Sequence, residues 1–194
     1  MEFILASNNK KKLREMEQIL SREGCTVISM GDAGIESAPE ETGATFEENA
    51  WIKAKAAMEA SGKPCIADDS GIAVDALDGA PGVRSARYCE GTDLDRVMFL
   101  LKNMEDKQDR TARFVSAVAC AFPDGTSIVV RGECEGQLLR ELRGEGGFGY
   151  DPIFYVPEEG CTFSEMAQER KNVISHRARA MEAFVRELRK KREG

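Results

Sequence analysis

Residues 1–30, MEFILASNNKKKLREMEQILSREGCTVISM, decide the fold class. Glu2–Ala6 reads as a short buried strand because it carries a four-residue apolar run. Polar Ser7-Asn8-Asn9 interrupts it. Leu13, Met16, Ile19 and Leu20 then recur at helical spacing, Gly24 stops the helix, and Thr26–Met30 reads as a second strand. Further along, Arg113–Phe122 and Thr126–Glu135 are two strands separated by Pro123-Asp124-Gly125, a hairpin signal. Strand–helix units combined with a hairpin predict an α/β fold with a mixed, not purely parallel, sheet.

The remaining elements fit that frame. Thr45 and Glu48 form a capping-box pattern ahead of a helix ending near Ser61-Gly62. Cys65–Ala67 reads as a short strand that stops at the turn-like Asp68-Asp69-Ser70-Gly71, with Ile72–Leu77 extended beyond it. Thr92–Met104 is an amphipathic helix, and Ile153–Val156 a short strand after the glycine-rich Gly144–Gly149. Thr162 and Glu165 predict another capped helix. Ser175 opens the last one, with Ala178, Met181, Val185 and Leu188 on its apolar face.

Composition narrows the function. The 194 residues carry 27 Lys plus Arg against 34 Asp plus Glu, a net charge of −7. That balance argues against nucleic-acid binding, which needs many cationic phosphate contacts. The length suits one large domain over residues 1–194 or two small lobes, whose boundaries the sequence does not mark. Six cysteines without metal-site spacing predict reduced thiols in a cytoplasmic protein. No apolar stretch is long enough for a membrane span. A single histidine, His176, excludes multi-histidine zinc sites, so hydrolytic chemistry would depend on carboxylates and a hard metal ion.

Five segments could carry chemistry. Ser7, Asn8, Asn9, Lys10, Lys11 and Lys12 lie between a strand and a helix, where exposed N–H groups and lysines favour an anion; an asparagine cap with a solvated basic turn explains them as well. Asp68 and Asp69, with Ser70, offer oxygen ligands of the kind Mg²⁺ takes together with phosphates. Glu40 and Glu41 lie in an acidic loop leading to Glu48, Asn49 and Lys53. Phe148, Gly149, Tyr150 and Asp151 combine close backbone approach with two aromatics able to stack on a planar base. Lys171 with His176 and Arg177 places cations at a helix start, against the macrodipole preference, which hints at an anionic or carbonyl-bearing ligand.

The segments ILASNNKKKLREM, EETGATFEENAWIKAKAA, IADDSGIAVDALDGAPGVRSARY, GGFGYDPIFYVPEEG and KNVISHRARA, in this order, resemble the Ham1/RdgB family of inosine triphosphate pyrophosphatases. The resemblance implies a two-lobed fold with an elongated mixed sheet, a cleft between lobes, and a homodimer. It implies Mg²⁺-dependent hydrolysis of ITP, dITP and XTP to monophosphate and pyrophosphate. Ser7 to Lys12 match the family's triphosphate loop, Asp69 its general base and metal-linked carboxylate, with Ser70 beside the nucleotide. Glu40 matches a second metal-associated carboxylate, Glu41 being adjacent, and Lys53 a phosphate-side lysine. Phe148, Gly149, Tyr150 and Asp151 match the base-pocket segment, and Lys171, His176 and Arg177 the purine contacts. Many members read T-G-N-x-G-K where this chain has Ser7-Asn8-Asn9-Lys10-Lys11-Lys12; Asn8 can adopt the left-handed conformation that glycine allows. The alternative reading is a nucleotide-binding sensor without turnover.

Overall fold

A computed structural model of the chain describes residues 1–193. Its elements run β1 (Glu2–Leu5), α1 (Lys10–Leu20), β2 (Thr26–Ser29), α2 (Phe46–Ser61), β3 (Cys65–Val74), α3 (Asp93–Asn103), β4 (Thr111–Ala121), β5 (Ser127–Leu138), β6 (Phe154–Val156), β7 (Cys161–Thr162), α4 (Gln168–Ile174) and α5 (His176–Glu193). The seven strands form one sheet in the order β2-β1-β3-β4-β5-β6-β7. β1 pairs parallel with β2 and β3, and β6 pairs antiparallel with β5 and β7, so the sheet is mixed as expected. No helix among the described residues is long and apolar enough to cross a membrane.

The chain divides into two compact units. One comprises Met1–Asp69, Ser116–Gly132 and the chain from Arg179 on; the other comprises Ser70–Val115 and Glu133–Ala178. In the first, the period-two alternation of β1 builds two apolar layers. Phe3 and Leu5 lie with Ile66 among Met16 and Leu20 of α1 and Met181, Phe184 and Leu188 of α5. Ile4 lies on the other side with Cys65 and Ala57 of α2. Phe3 meets Phe184 edge to face at 6.2 Å. The second unit has its own core, where Phe114 stacks on Phe163 and meets the edge of Phe154 at 4.6 Å.

Local signals hold where they depend on neighbours in sequence. α1 stops short of Gly24, which takes φ +67°. The Thr45–Glu48 capping box is complete and α2 ends at Gly62, also left-handed. The hairpin turn is closed by Asp124 Oδ1 accepting from Thr126 N at 2.9 Å. Two expectations fail. Thr162 and Glu165 exchange their reciprocal bonds, at 2.8 and 3.2 Å, around a turn and not a helix; α4 starts only at Gln168. The larger correction concerns β3, which does not stop at Ala67 but runs unbroken through Asp68-Asp69-Ser70-Gly71 to Val74. Each carboxylate meets a cation on its own side of the strand, so no turn is needed to bring it to water.

Replacing Thr45 by alanine removes the oxygen that accepts from Glu48 N–H at 3.1 Å. The expected cost is about 1 kcal/mol of unfolding free energy, measured by urea titration; an unchanged midpoint would show that the cap contributes nothing.

Candidate active site

β3 is the spine of the site in the first unit. Adjacent residues of a strand point to opposite faces, so Asp68 shares the side of Ile66, covered by α1, and Asp69 the side of Cys65, covered by α2. On the first side Lys12 donates from Nζ to Asp68 Oδ1 at 2.9 Å, and the Asp68 side chain is only 1% exposed. On the second, Lys53 Nζ lies 3.4 Å from Asp69 Oδ1 and 3.4 Å from Glu41 Oε2. The first turn of α1 therefore reaches the carboxylate next to Asp69 directly.

Asp69 is the perturbed group. Burial raises its pKa above the ordinary carboxylate value; Lys53 opposes that shift, and the Glu41 charge adds to it. Its Oδ2 is buried without a hydrogen bond. Asn49, which is fully buried, faces the same carboxylate and favours its charged form, yet its Nδ2 stands outside normal hydrogen-bond geometry. Oδ1 of Asn49 accepts from Gly43 N at 2.8 Å, which fastens the acidic loop to α2. A side chain at Gly43 would run into Asn49 Oδ1 and Glu48 Cβ, so this approach requires glycine.

Not every expected residue joins this cluster. Asn9 caps α1, its Oδ1 accepting from Lys11 N and Lys12 N at 3.0 and 3.3 Å, and Ser7 Oγ accepts from Asn9 N at 3.1 Å. Asn8 does not use the left-handed conformation: the only non-glycine residue at positive φ among those described is Asp78. Its Oδ1 instead accepts from Gly31 N at 3.0 Å. Asn8 and Lys10 line a cavity of about 380 Å³ with Arg14, Ser29 and Asp32, whose lining includes neither Lys12 nor Asp69. Glu40 is exposed and its carboxylate forms no ion pair with a described residue, whereas Glu41 is half-buried against Lys53. Ser70 is half-buried in β3 after Asp69.

In the second unit, Phe148, Asp151 and Lys171 come together. Lys171 is buried and bonds Asp151 Oδ2 at 2.5 Å. Its ammonium lies over the rings of Phe148 and Phe163 at 5.2 and 5.1 Å. Asp151 also accepts from Phe148 N at 3.0 Å, and a Cβ at Gly147, where φ is +77°, would collide with that carboxylate. Gly149 N donates to Asp93 Oδ2 at 3.1 Å. The loop is thus pinned at three points while the Phe148 ring stays 48% exposed. Tyr150 is not a second stacking surface: its ring belongs to the core, its hydroxyl donates to Ser85 O at 2.8 Å, and burial raises its pKa. Ser175 caps α5 through Ala178 N at 3.2 Å. His176 is buried and stacks on Phe114 at 4.8 Å, and Arg177 beside it is buried too.

The Ham1 family model matches residues 3–187. The chain belongs to the Ham1 family. It is 49% identical over 190 residues to a dITP/XTP pyrophosphatase of Symbiobacterium thermophilum, covering 96% of this chain and 94% of that one. It is 48% identical to a dITP/XTP pyrophosphatase of Haemophilus influenzae, covering 96% and 98%. The solved structure of a HAM1 protein from Coxiella burnetii superposes with a TM-score of 0.92 at 41% identity, covering 98% of this chain and 99% of that one. The Ham1 chain described here carries one residue at this site to which sequence reading gives no role, Asn49. Its signal is spacing: Asn49 precedes Lys53 by four residues and so shares its helix face.

The raised Asp69 pKa has a stability consequence. Because the folded-state value lies above the unfolded one, the contribution of Asp69 to stability is fully present below about pH 4. It is lost as pH rises through the folded-state value. Asp69→Asn, measured in chelator, should therefore melt higher than wild type at neutral pH and show a shrinking difference toward about pH 4. A difference independent of pH would contradict burial as the cause.

Proposed function

We propose that this protein hydrolyses the non-standard purine nucleoside triphosphates dITP, XTP and ITP at the α–β bond, releasing the nucleoside monophosphate and pyrophosphate. The observation that carries the reading is the half-buried Asp69 carboxylate, shared through Lys53 with Glu41 and flanked by the Lys12–Asp68 pair. The names of the Symbiobacterium and Haemophilus relatives supply the substrate class. Removal of such nucleotides before polymerases use them is the biological role that follows.

The donor set fits Mg²⁺. Asp69 Oδ1 and Glu41 Oε2 converge on one cation, Lys53 Nζ, at 3.4 Å each, and no three acidic, histidine or cysteine groups converge among the described residues. One or two carboxylates completed by substrate phosphates and water is the usual way Mg²⁺ is held. Asp69 and Glu41 would hold it; the half-buried Glu41 suits this better than the exposed Glu40 that the resemblance points to. Bound there, Mg²⁺ would offset the charge of the leaving pyrophosphate.

The chain's own groups do the rest. Asp69 orients the attacking water and takes its proton, a task suited to a carboxylate made more basic by burial. Lys12 and Lys53 meet phosphate oxygens, with Ser7, Asn9 and the N–H groups at the start of α1 completing the loop. Asn8, Lys10 and Lys11 act through loop shape and charge. Ser70 lies beside the nucleotide. Phe148 stacks on the purine, while Asp151, Gly149 and Tyr150 hold its loop in shape. His176 and Arg177, with Lys171, donate toward a 6-oxo purine. Adenine, with an amino group there, would leave buried donors unsatisfied, the kind of mismatch polar sites reject strongly. The six free thiols suit a reducing cytoplasm, and the resemblance supports a homodimer.

Two experiments test this. A panel of ITP, dITP, XTP, ATP and GTP with Mg²⁺ should give pyrophosphate, not orthophosphate, with the deaminated purines preferred by roughly 10²-fold or more over ATP. Binding without any pyrophosphate would favour the sensor. In the second, Glu41→Gln should lower turnover at limiting Mg²⁺ on the order of 10-fold or more, and Glu40→Gln should change it far less. The reverse order would move the metal-side role to Glu40.

A further inference from the structure

Asn49 poses a physical problem. It is fully buried in the first turns of α2, a place where a plain apolar residue would pack without cost. A buried amide is tolerated when its hydrogen bonds are made. Here the acceptor half is satisfied by Gly43 N–H at 2.8 Å, while the donor half, Nδ2, has no partner in good geometry. The only other atom of this cluster in the same condition is an acceptor, Oδ2 of Asp69. One orphan donor and one orphan acceptor, buried at the same carboxylate, complement each other.

The helix explains why they meet. Asn49 and Lys53 lie four residues apart and project from one face of α2 toward β3. Lys53 addresses Oδ1 of Asp69 and, with the same ammonium, Glu41 of the acidic loop. Asn49 faces the Asp69 carboxylate while gripping the same loop two residues further on, at Gly43. Two side chains of one helix face thus tie one loop to one carboxylate.

We infer that Asn49 is a positioning residue of the hydrolytic site: its amide couples the Glu40–Gly43 loop, through Gly43 N–H, to the inner oxygen of Asp69. Closing the Nδ2–Oδ2 contact fixes the plane of the carboxylate and leaves Oδ1 as the oxygen presented to the reaction. Asn49 itself touches no substrate. The inference rests on the reading of Asp69 as the base that activates water.

The test compares Asn49→Ala with Glu48→Ala. Glu48 caps the same helix, its Oε2 accepting from Ala44 N and Thr45 N, but makes no hydrogen bond to Gly43 or Asp69. Both variants should lower the melting temperature. Only Asn49→Ala should lower kcat, by roughly 10- to 100-fold, the range that a misplaced reacting group costs, with the KM for dITP within about 3-fold of wild type. Asn49→Asp keeps the acceptor for Gly43 N–H and removes the donor, so it should show the same loss of kcat. Asn49→Ser replaces either variant if that variant does not fold. A kcat for the Asn49 variants within about twofold of Glu48→Ala, below both melting temperatures, would overturn the inference. Wild type that releases no pyrophosphate would instead overturn the underlying reading of the activity.

Discussion

Two neighbouring carboxylates in the middle of a buried strand set the terms for the first unit. Asp68 and Asp69 cannot turn away from each other into water, because β3 continues through them. The strand's alternation sends them to opposite faces, and each face must then bring its own cation. α1 supplies Lys12 to Asp68 and α2 supplies Lys53 to Asp69. The helices that cover the sheet are thus the same ones that answer its charges, and the packing layers of Phe3, Ile4 and Leu5 are continuous with the chemistry.

The second unit solves a related problem with aromatic rings. Lys171 is buried with a single carboxylate, Asp151, and two ring faces around it. An ammonium so enclosed needs both its counter-ion and the quadrupoles of the rings to offset lost hydration. In return it stiffens the loop that carries Phe148, an exposed ring on an otherwise pinned segment. Polar neighbours fix the backbone, and the apolar ring stays exposed.

Much of this is legible in the amino-acid order, and the boundary of legibility is physical. Helix α2 is readable because Thr45, Glu48 and Gly62 act within a few residues of themselves. The Thr162–Glu165 pattern shows the limit of the same logic: the reciprocal bonds form, but nothing follows that propagates a helix. The course of β3 depends on Lys12 and Lys53, which are distant in sequence, so Asp-Asp-Ser-Gly reads locally as a strand end or a turn. The exchange of roles between Phe148 and Tyr150 depends on Ser85, whose carbonyl draws the tyrosine hydroxyl into the core. Glu41 and Glu40 differ only by which one faces Lys53, a matter of loop path. The joint order of five weak segments carried the family correctly, since chance does not arrange them together.

The alternation along β3 also bears on how such a chain can change over time. Inserting or deleting one residue ahead of Asp68 would exchange the two acids between the faces of the sheet, stranding each opposite the wrong helix. Point substitutions around the site leave that parity intact. Drift in length is therefore confined to the connecting segments, and lineages can diverge widely in composition while the reading frame of this one strand stays locked.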